Sequence, residues 1–408
     1  EETDDLQTFY PTDVLVTGFD IIFFWVARMV MTGLHFKDDV PFHAVHLTGL
    51  VRDAEGQKMS KTRGNTVDPL ELVEEYGADA LRFTLAILDS PGRDIPLDPD
   101  RMAGYRAFGN KIWNATRFSL SRVGDARVAT DLEPAALGVP ERWILSRLSR
   151  ATREINQKFG TYRFDEACSR LYHFFWGDLC DWYIELCKPA LSGEAVRPEV
   201  GTVLLTTLER SLRLLHPVMP FLTEELWQRL PGREQIHAET ICLSPYPEPQ
   251  AAWEDDEVEA QVDRFIQIVS WVRNIRAELQ VEHKTEVELY LYTDDPAIQE
   301  SLSEMEGLLR SLARLSALHY QEPPGEAPRD VVGGVRVGLL VPEKELTEED
   351  RARLVKDREN LQKQIDHLQG LLANAQFVSK APEAVVEKNR SRLQEMLERL
   401  ERLSAGLE

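Results

Sequence analysis

The first regular pattern of the chain is DVLVTGFDIIFFWVARMVM, residues 13–31. Its short apolar run, Val14–Val16, indicates a buried strand, and Ile21–Met31 has the spacing of a helix. A second apolar run, Val45–Val51, is the next candidate strand. Because strand, helix and strand follow one another in this order, residues 1–100 are predicted to form a parallel α/β sheet, about half of a doubly wound fold.

A loop with two lysines separates the second candidate strand from the next helix. That helix is predicted to begin at Asp68, a capping residue followed by Pro69 at the first helical position. The loop before it reads Lys58-Met59-Ser60-Lys61-Thr62. Two lysines on one loop can pair with a polyphosphate that becomes more charged as it leaves. An isolated pair of this spacing is more often a solvated loop, but the position between a strand and a capped helix favours phosphate binding.

The remainder of the chain divides into three regions by composition. Residues 101–250 carry long helical patterns and are predicted to form an all-α bundle, with helices that start near Pro140, Asp165 and Pro198. Residues 251–342 predict a small α+β unit, with a helix over Val258–Leu279, a strand over Glu286–Tyr292 and a hairpin turn at Gly333-Gly334.

The last region, residues 343–408, carries leucines at heptad spacing. One seam contains Leu361 and Ile365, a second contains Leu393 and Met396, and helix-breaking residues lie between them. These seams predict an antiparallel helical hairpin with coiled-coil packing. The charge of this region is nearly balanced, so its composition alone does not indicate RNA binding.

Composition excludes several classes of protein. The chain has 408 residues and a net charge of −22, which excludes a generally basic nucleic-acid binder but leaves room for a local basic face. Its 4 cysteines have no metal-ligand spacing and predict reduced thiols in a cytoplasmic protein. No run approaches the roughly 18 to 20 uninterrupted apolar residues of a membrane span. His43 and His46 would point to opposite faces of a strand, so no bound metal is predicted.

Several motifs together resemble one family. Residues 58–62 are similar to the KMSKS signature of class I aminoacyl-tRNA synthetases, with threonine in place of the final serine. Residues 9–25, FYPTDVLVTGFDIIFFW, resemble the segment that valyl-tRNA synthetases place beside the aminoacyl-adenylate site, and residues 48–58 are equally characteristic. Residues 110–114 and 216–227 resemble the entry and the closing helices of that family's anticodon-binding bundle. The terminal hairpin resembles its tRNA-binding arm, so the resemblance extends over nearly the whole chain.

The resemblance also has a gap. The sequence contains no His-x-Gly-His segment of the HIGH type and no room for an editing insertion, both of which the family carries in its N-terminal half. The chain is therefore expected to be the C-terminal half of such an enzyme. Its fold is then expected to be multidomain: the second half of a Rossmann-type catalytic domain, a helical bundle, a small α+β unit and a coiled-coil hairpin. Alone it should be inactive.

The resemblance implies a chemistry and a set of site residues. The reaction would be ATP-dependent ligation of valine to tRNA(Val) through valyl-adenylate, with Mg²⁺ accompanying the ATP. Lys61 would bind the leaving pyrophosphate with Lys58 assisting, and the loop residues Met59, Ser60 and Thr62 would complete the ATP-binding loop. Gly18 and Asp20 would contact the adenosine, and Trp25 would line the valine pocket. The alternatives are a helix cap for Asp20 and a core position for Trp25.

The expected partners are valine, ATP, tRNA(Val) and the N-terminal half of the same enzyme, in a cytoplasmic monomer without membrane contact. Two other functions stay open. One is a non-catalytic tRNA-binding module descended from a synthetase, and the other is half of an isoleucyl enzyme. The second alternative is disfavoured because isoleucyl enzymes tend to have a Gly-x-Asp segment different from residues 18–20 here and a cysteine-rich zinc tail, and this chain has neither.

The first bundle helix has two faces by helical geometry. Tyr105, Phe108, Ile112, Ala115 and Ser119 are predicted to face the core. The opposite face carries four candidate tRNA-binding residues, Arg106, Asn110, Trp113 and Arg117. Unstacked RNA bases are read by aromatic or guanidinium stacking together with phosphate contacts. The alternative for Trp113 is packing beneath a neighbouring helix.

Overall fold

The computed structural model describes residues 3–60, 62–192, 197–325, 327–342 and 348–373, together with 389, 392–397 and 400. The chain forms two compact units, Glu1–Glu259 and Ala260–Glu408. The division between them falls within one long helix. In the described residues, the first unit contains two two-stranded sheets and the second a four-stranded sheet, and each unit has its own buried residues.

The first unit begins with a β-α-β arrangement. Helix α1, Asp4–Phe9, precedes strand β1, Thr12–Gly18. A 3₁₀ turn and a π-helical turn, Ile22–Val26, lead into α2, Ala27–Lys37. Strand β2, Phe42–Thr48, then pairs with β1 in parallel, with Gly18 opposite Thr48. The predicted order of strand, helix and parallel strand is therefore confirmed for these elements.

The predicted strand Val45–Val51 is wrong in its bounds. The pairing with β1 ends at Thr48, and a separate short strand β3, Val51–Arg52, pairs in parallel with β4, Ile95–Pro96. The break lies at Gly49, where a Cβ atom would stand 1.9 Å from the carbonyl oxygen of Arg93. The backbone of the later segment thus occupies the space that a continuous strand would need.

Between β3 and β4 the chain forms two helices, α3, Pro69–Tyr76, and α4, Ala78–Leu88. Asp68 caps α3 as predicted, since its carboxylate accepts a hydrogen bond of 2.9 Å from the backbone N–H of Leu70.

The helical bundle follows, and its predicted helix starts are confirmed to within one residue. Its helices are α5, Pro99–Leu120; α6, Val139–Gly160; α7, Phe164–His173; a π-helical segment, Phe174–Tyr183; α8, Ile184–Cys187; α9, Pro198–Leu215; and α10, Pro220–Trp227. Large aromatic side chains fill the core, among them Phe108, Trp143, Tyr183 and Trp227. This bundle packs directly against the α/β segment: the ring of Phe83 on α4 contacts that of Phe108 on α5 in a tilted arrangement, with ring centroids 5.3 Å apart.

Helix α11, Asp256–Glu278, leads into the second unit. Strand β5, Val287–Tyr292, is followed by α12, Pro296–Glu304, α13, Glu306–Ala313, and the strands β6, Leu315–His319, β7, Arg329–Val332, and β8, Val335–Leu340. The strand order is β6-β5-β8-β7, with β5 and β6 parallel and the other pairs antiparallel. The predicted hairpin turn at Gly333-Gly334 joins β7 to β8.

The C-terminal region contains α14, Glu348–Ala373. Leu361 and Ile365 on this helix are buried against Leu393, Met396 and Leu400. The predicted contact between the two leucine seams is thus confirmed at these positions. The predicted turn between the arms, near residues 374–382, lies outside the described residues.

Candidate functional site

The carboxyl ends of β1 and β2 lie side by side, since Gly18 pairs with Thr48. Asp20 is exposed just beyond this edge, and a Cβ atom on Gly18 would stand 2.8 Å from Asp20 Oδ1. The turn that begins here has no side-chain cap, so Asp20 does not serve as its cap. Ligands of α/β proteins bind at the carboxyl ends of parallel strands. The two predicted adenosine contacts, Gly18 and Asp20, therefore lie together at an edge of that kind.

The lysine loop is held in shape by Asn65, a residue that the sequence analysis did not select. Its Oδ1 accepts a hydrogen bond of 2.9 Å from the backbone N–H of Ser60. Its Nδ2 donates to Asp53 Oδ2 at 2.8 Å and to the Lys58 carbonyl at 3.3 Å. The hydrogen bond from Asn65 lowers the pKa of Asp53, so that carboxylate stays ionised at neutral pH. One amide side chain thus fixes the two ends of the loop to each other.

The remaining loop residues divide between core and solvent. Met59 packs against a buried cluster that includes Leu72 of α3. Lys58 is exposed, and the Ser60 and Thr62 hydroxyl oxygens lie 3.2 Å apart. Lys61 lies outside the described residues, so its predicted role rests on the sequence. The loop therefore presents Lys58 to solvent from a backbone that Met59 and Asn65 anchor.

The strand that enters this loop is itself anchored. Arg52 on β3 forms an ion pair with Asp94, whose other carboxylate oxygen accepts a hydrogen bond of 3.1 Å from the Leu50 backbone. The hydrogen bond from Arg52 lowers the pKa of Asp94. Because the sequence separation between these partners exceeds 40 residues, no local pattern could have revealed them.

An apolar surface covers the outer side of the first 51 residues. Trp25 is 59% exposed and Phe23 is 83% exposed, so Trp25 is not a core residue of this chain. Other apolar side chains on the same segments are also exposed, namely Phe9, Val16, Phe19, Phe24, Met31, Leu34, Phe36, Val45, Leu47 and Val51. By length and composition alone, the segment Phe19–Lys37 could cross a membrane, since its most apolar stretch has a mean hydropathy of 1.4 and is 11% buried. So many exposed apolar side chains on a short segment indicate that a partner, or a further part of the protein, covers this surface.

The predicted RNA-facing residues occupy the outer side of α5. Arg106, Asn110 and Arg117 are exposed. Four residues of the predicted inner face are buried, Phe108, Ile112, Ala115 and Ser119, while Tyr105 is half-buried. The two-faced character of α5 is thus confirmed.

Three of the four candidate RNA contacts line one open groove. The groove has a volume of about 440 Å³ and lies between α4, α5 and α10. Arg106, Asn110 and Trp113 line it from α5, and Phe221, 66% exposed, lines it from α10. Arg117 is not among its lining residues. The groove therefore combines exposed aromatic surface with a guanidinium group.

Trp113 contacts an arginine, but not one that the sequence analysis paired with it. The guanidinium carbon of Arg229 lies 5.6 Å from the centre of the Trp113 ring. This distance suits a cation–π interaction, and Arg229, in the turn after α10, also forms an ion pair with Glu225 on that helix. Trp113 is half-buried and keeps part of its ring at the groove, so the structure combines features of both interpretations.

Comparison with known families finds three models in order along the chain. Residues 1–98 match tRNA synthetases class I (I, L, M and V). Residues 141–291 match the anticodon-binding domain of tRNA ligase, and residues 347–408 match the valyl tRNA synthetase tRNA binding arm. The lysine loop falls within the first match and the leucine seams within the third. The second match covers the helical bundle from α6 onward, and α5 lies outside it.

Similar proteins are found along the full chain. The valine–tRNA ligase of Thermotoga maritima is 44% identical over 413 residues, which is 100% of this chain and 46% of that protein. The valine–tRNA ligases of Brucella suis and Geobacter sulfurreducens are 41% and 44% identical, with 45% and 46% of their lengths covered. The chain thus spans about half the length of the curated relatives it matches.

Solved structures show a weaker likeness. A complex of Agrobacterium radiobacter K84 LeuRS with tRNA and LeuAMS has a TM-score of 0.49 and 17% identity, over 73% of this chain and 36% of that one. Mycobacterium tuberculosis methionyl-tRNA synthetase with methionyl-adenylate has a TM-score of 0.48 and 20% identity, over 62% and 52%. Both TM-scores are low.

The family matches and the relatives agree with the geometry of the lysine loop and the bundle. With a match to the valyl tRNA synthetase tRNA binding arm at residues 347–408 and 44% identity over its whole length to a valine–tRNA ligase, the chain matches the C-terminal region of the valyl-tRNA synthetases from end to end.

Proposed function

We propose that this chain is the C-terminal part of an enzyme that joins valine to tRNA(Val) through valyl-adenylate, at the expense of ATP. The observation that carries the proposal is the lysine loop, which Asn65 and Met59 hold in place a few residues after β3, a strand of the parallel pair β3–β4. The first 100 residues then form the second half of a Rossmann-type catalytic domain. The free cysteines are compatible with a cytoplasmic setting, and we propose that the complete enzyme acts there as a monomer.

The loop lysines supply charge where the reaction develops it. The valine carboxylate attacks the α-phosphate of ATP, and pyrophosphate leaves with additional negative charge. Lys61 binds that leaving group and Lys58 assists it. At an effective dielectric constant of about 20, unit charges about 4 Å apart interact by about 4 kcal/mol. Since each 1.4 kcal/mol or so of barrier changes the rate about tenfold, such a contact has a large kinetic effect.

Gly18 and Asp20 hold the adenosine in this proposal, because both lie at the strand edge where α/β proteins bind ligands. Trp25 lines the valine side-chain pocket from its exposed position. Mg²⁺ would neutralise phosphate charge as part of the ATP complex. In the described part of the chain, no group of three or more His, Cys, Asp or Glu side chains is placed to hold a metal ion, so no residue here is assigned to Mg²⁺.

The N-terminal half of the enzyme is the proposed cover of the exposed apolar surface. Strands β1 and β2 form a two-stranded parallel sheet in which Val16, Val45 and Leu47 are exposed. Parallel sheets are normally larger and buried on both faces. Further strands and helices of the same catalytic domain would complete this sheet and would also cover Trp25 and its neighbours. A lipid environment would leave the sheet edges without partners.

Amino-acid choice tests the proposed substrate. The complete enzyme should charge tRNA(Val) with valine and should discriminate against isoleucine, whose extra methylene overfills the pocket. The measurement is the rate of aminoacylation with each amino acid on tRNA(Val) and tRNA(Ile). Preferential charging of tRNA(Ile) with isoleucine would instead identify an isoleucyl enzyme, and binding of tRNA without any charging would identify a non-catalytic module.

Removal of the C-terminal arm should separate tRNA binding from adenylate formation. A variant of the complete enzyme that ends at Pro342 is expected to bind tRNA(Val) more weakly and to form valyl-adenylate at an unchanged rate. The reason is that the leucine seams pack against each other and form a local unit. Binding is measured by filter retention, and adenylate formation by valine-dependent ATP–pyrophosphate exchange. Loss of exchange in a truncated protein that keeps its melting temperature would assign the arm a structural role instead.

Trp113 tests the groove on α5 as a tRNA contact. If an RNA base stacks on this ring, Trp113→Ala should weaken tRNA binding by about 1–3 kcal/mol, the usual range for a lost base stack. If Arg106 contacts a phosphate, Arg106→Ala should reduce the salt dependence of binding rather than alter base preference. The measurement is tRNA affinity at several salt concentrations, with the melting temperature alongside. Unchanged affinity with a lower melting temperature would show that Trp113 only packs with Arg229.

A further inference from the structure

A cysteine, a histidine and a threonine form a hydrogen-bonded chain beside α10. The Sγ atom of Cys242 lies 3.0 Å from Nε2 of His216, and Nδ1 of the same ring lies 2.7 Å from the Thr223 hydroxyl oxygen. Thr223 is fully buried, and Cys242 is exposed on the 3₁₀ turn Ile241–Leu243. The thiol is therefore accessible to solvent, whereas the chain of partners leads through His216 to the buried Thr223. The proposed aminoacylation assigns no role to any of the three.

The hydrogen-bond directions fix which ring nitrogen can accept a proton. The Thr223 hydroxyl donates to the Met219 carbonyl oxygen at 2.8 Å, so its oxygen is available as an acceptor. Nδ1 of His216 therefore carries the proton and donates to Thr223. In a neutral imidazole, Nε2 is then the unprotonated nitrogen and accepts from the Cys242 thiol. A nucleophile, a base and a group that orients the base are thus in series, as activated thiols require.

Burial keeps His216 neutral at physiological pH, and the charges around it act in both directions. Burial lowers the pKa of His216, although the carboxylates of Asp79 on α4 and Glu224 on α10 oppose that change and Arg82 on α4 adds to it. Because the histidine is unprotonated near pH 7, it can take the thiol proton there.

The other cysteines of the chain provide internal controls. Cys168, Cys180 and Cys187 are buried, and all four cysteines lie in the described part of the chain. Burial raises the pKa of both Cys168 and Cys180 to about 12. Burial also raises the pKa of Cys187. Buried thiols of this kind are inert, so a thiol reagent should modify Cys242 in strong preference to the three buried cysteines.

We propose that Cys242 is an activated thiol that reacts with hydroperoxides, with His216 as its general base and Thr223 as the positioning residue. The thiol proton passes to Nε2 of His216 while the sulfur attacks one peroxide oxygen and the O–O bond breaks. The leaving hydroxide then takes the proton from the imidazolium and departs as water. The sulfur loses two electrons and becomes a sulfenic acid, and the peroxide gains the same two electrons. This modification is independent of the proposed aminoacylation.

The test measures the rate of reaction of each cysteine in the folded 408-residue chain. Hydrogen peroxide is the reagent, dimedone traps the sulfenic acid, and peptide mass spectrometry assigns the site; iodoacetamide gives the pH profile of the thiol. In the unaltered chain, Cys242 should react alone and faster than glutathione at pH 7. The variant His216→Gln should react at least about tenfold more slowly, at the low end of the effect of a general base. The control His173→Gln, an exposed histidine on α7, should leave the rate unchanged.

The pH profile separates a base from a merely structural histidine. In the unaltered chain the iodoacetamide rate should rise as His216 loses its proton, below the ordinary histidine pKa of about 6.5. In His216→Gln the rise should move to the ordinary thiol range near about pH 8.5. Should His216→Gln fail to fold, Thr223→Val, which removes the partner of Nδ1, must slow the reaction. A Cys242 that reacts no faster than glutathione, or that keeps its rate and profile in these variants, would overturn the proposal.

Discussion

Lys61→Ala in the complete enzyme is expected to slow adenylate formation about 10²- to 10³-fold, the usual effect of removing a group that stabilises developing charge. Valine affinity should change little. Lys61 acts, in this account, on the pyrophosphate as it departs, so its contribution belongs to the transition state and not to the bound amino acid. The substitution should therefore lower kcat and kcat/KM by the same factor.

Single-turnover formation of valyl-adenylate measures this loss, and equilibrium dialysis measures valine binding. Lys284→Ala, an exposed lysine in the second unit, is the matched control and should leave both quantities unchanged. A Lys61→Ala enzyme with normal turnover and only a raised ATP requirement would contradict the assigned role.

Glu209→Ala is expected to lower the free energy of unfolding by about 3–5 kcal/mol, the range for breaking a buried ion pair. Glu209 is 1% exposed on α9 and accepts two hydrogen bonds of 2.7 Å from Arg213. It also accepts one of 2.7 Å from the indole of Trp227 on α10. Alanine would leave a buried guanidinium without its counter-charge and a buried indole N–H without an acceptor.

Urea denaturation followed by tryptophan fluorescence measures this change. The control is Glu225→Ala on α10, which breaks an exposed ion pair with Arg229. An exposed pair contributes about 0–1 kcal/mol, so the control should unfold almost as the unaltered chain does. Equal losses of unfolding free energy in the two variants would show that burial does not increase the contribution of the Glu209 ion pair to stability.

The predictions that succeeded depended on local chemistry. Asp68-Pro69 marks the start of α3 because the cap and the first turn are adjacent in sequence. Gly333-Gly334 marks a hairpin because a tight turn needs these residues in place. The buried face of α5 follows from the helical repeat alone. Each of these signals lies within a few residues of the feature it predicts.

The features that sequence did not reveal arise from distant parts of the chain. The break after β2 is caused by the backbone at Arg93, and the entry strand is held by Asp94. The partner of Trp113 is Arg229, in the turn after α10 and far away in sequence. The Asp53–Asn65 bond is closer in sequence, and an acid and an amide on either side of a lysine loop could have suggested it. The contacts between distant residues, by contrast, are set by packing, which no pattern in a single sequence records.

Valine-dependent ATP–pyrophosphate exchange tests whether the active site is divided between this chain and the N-terminal half of the enzyme. It should be measured with the purified 408-residue chain alone and with the same chain joined to the N-terminal half found in its relatives. No exchange is expected from the chain alone, because in the proposed enzyme the other half supplies part of the nucleotide site and covers the apolar surface. Robust exchange is expected from the joined protein. Robust exchange by the chain alone, in a preparation free of host synthetase, would contradict that division of the active site.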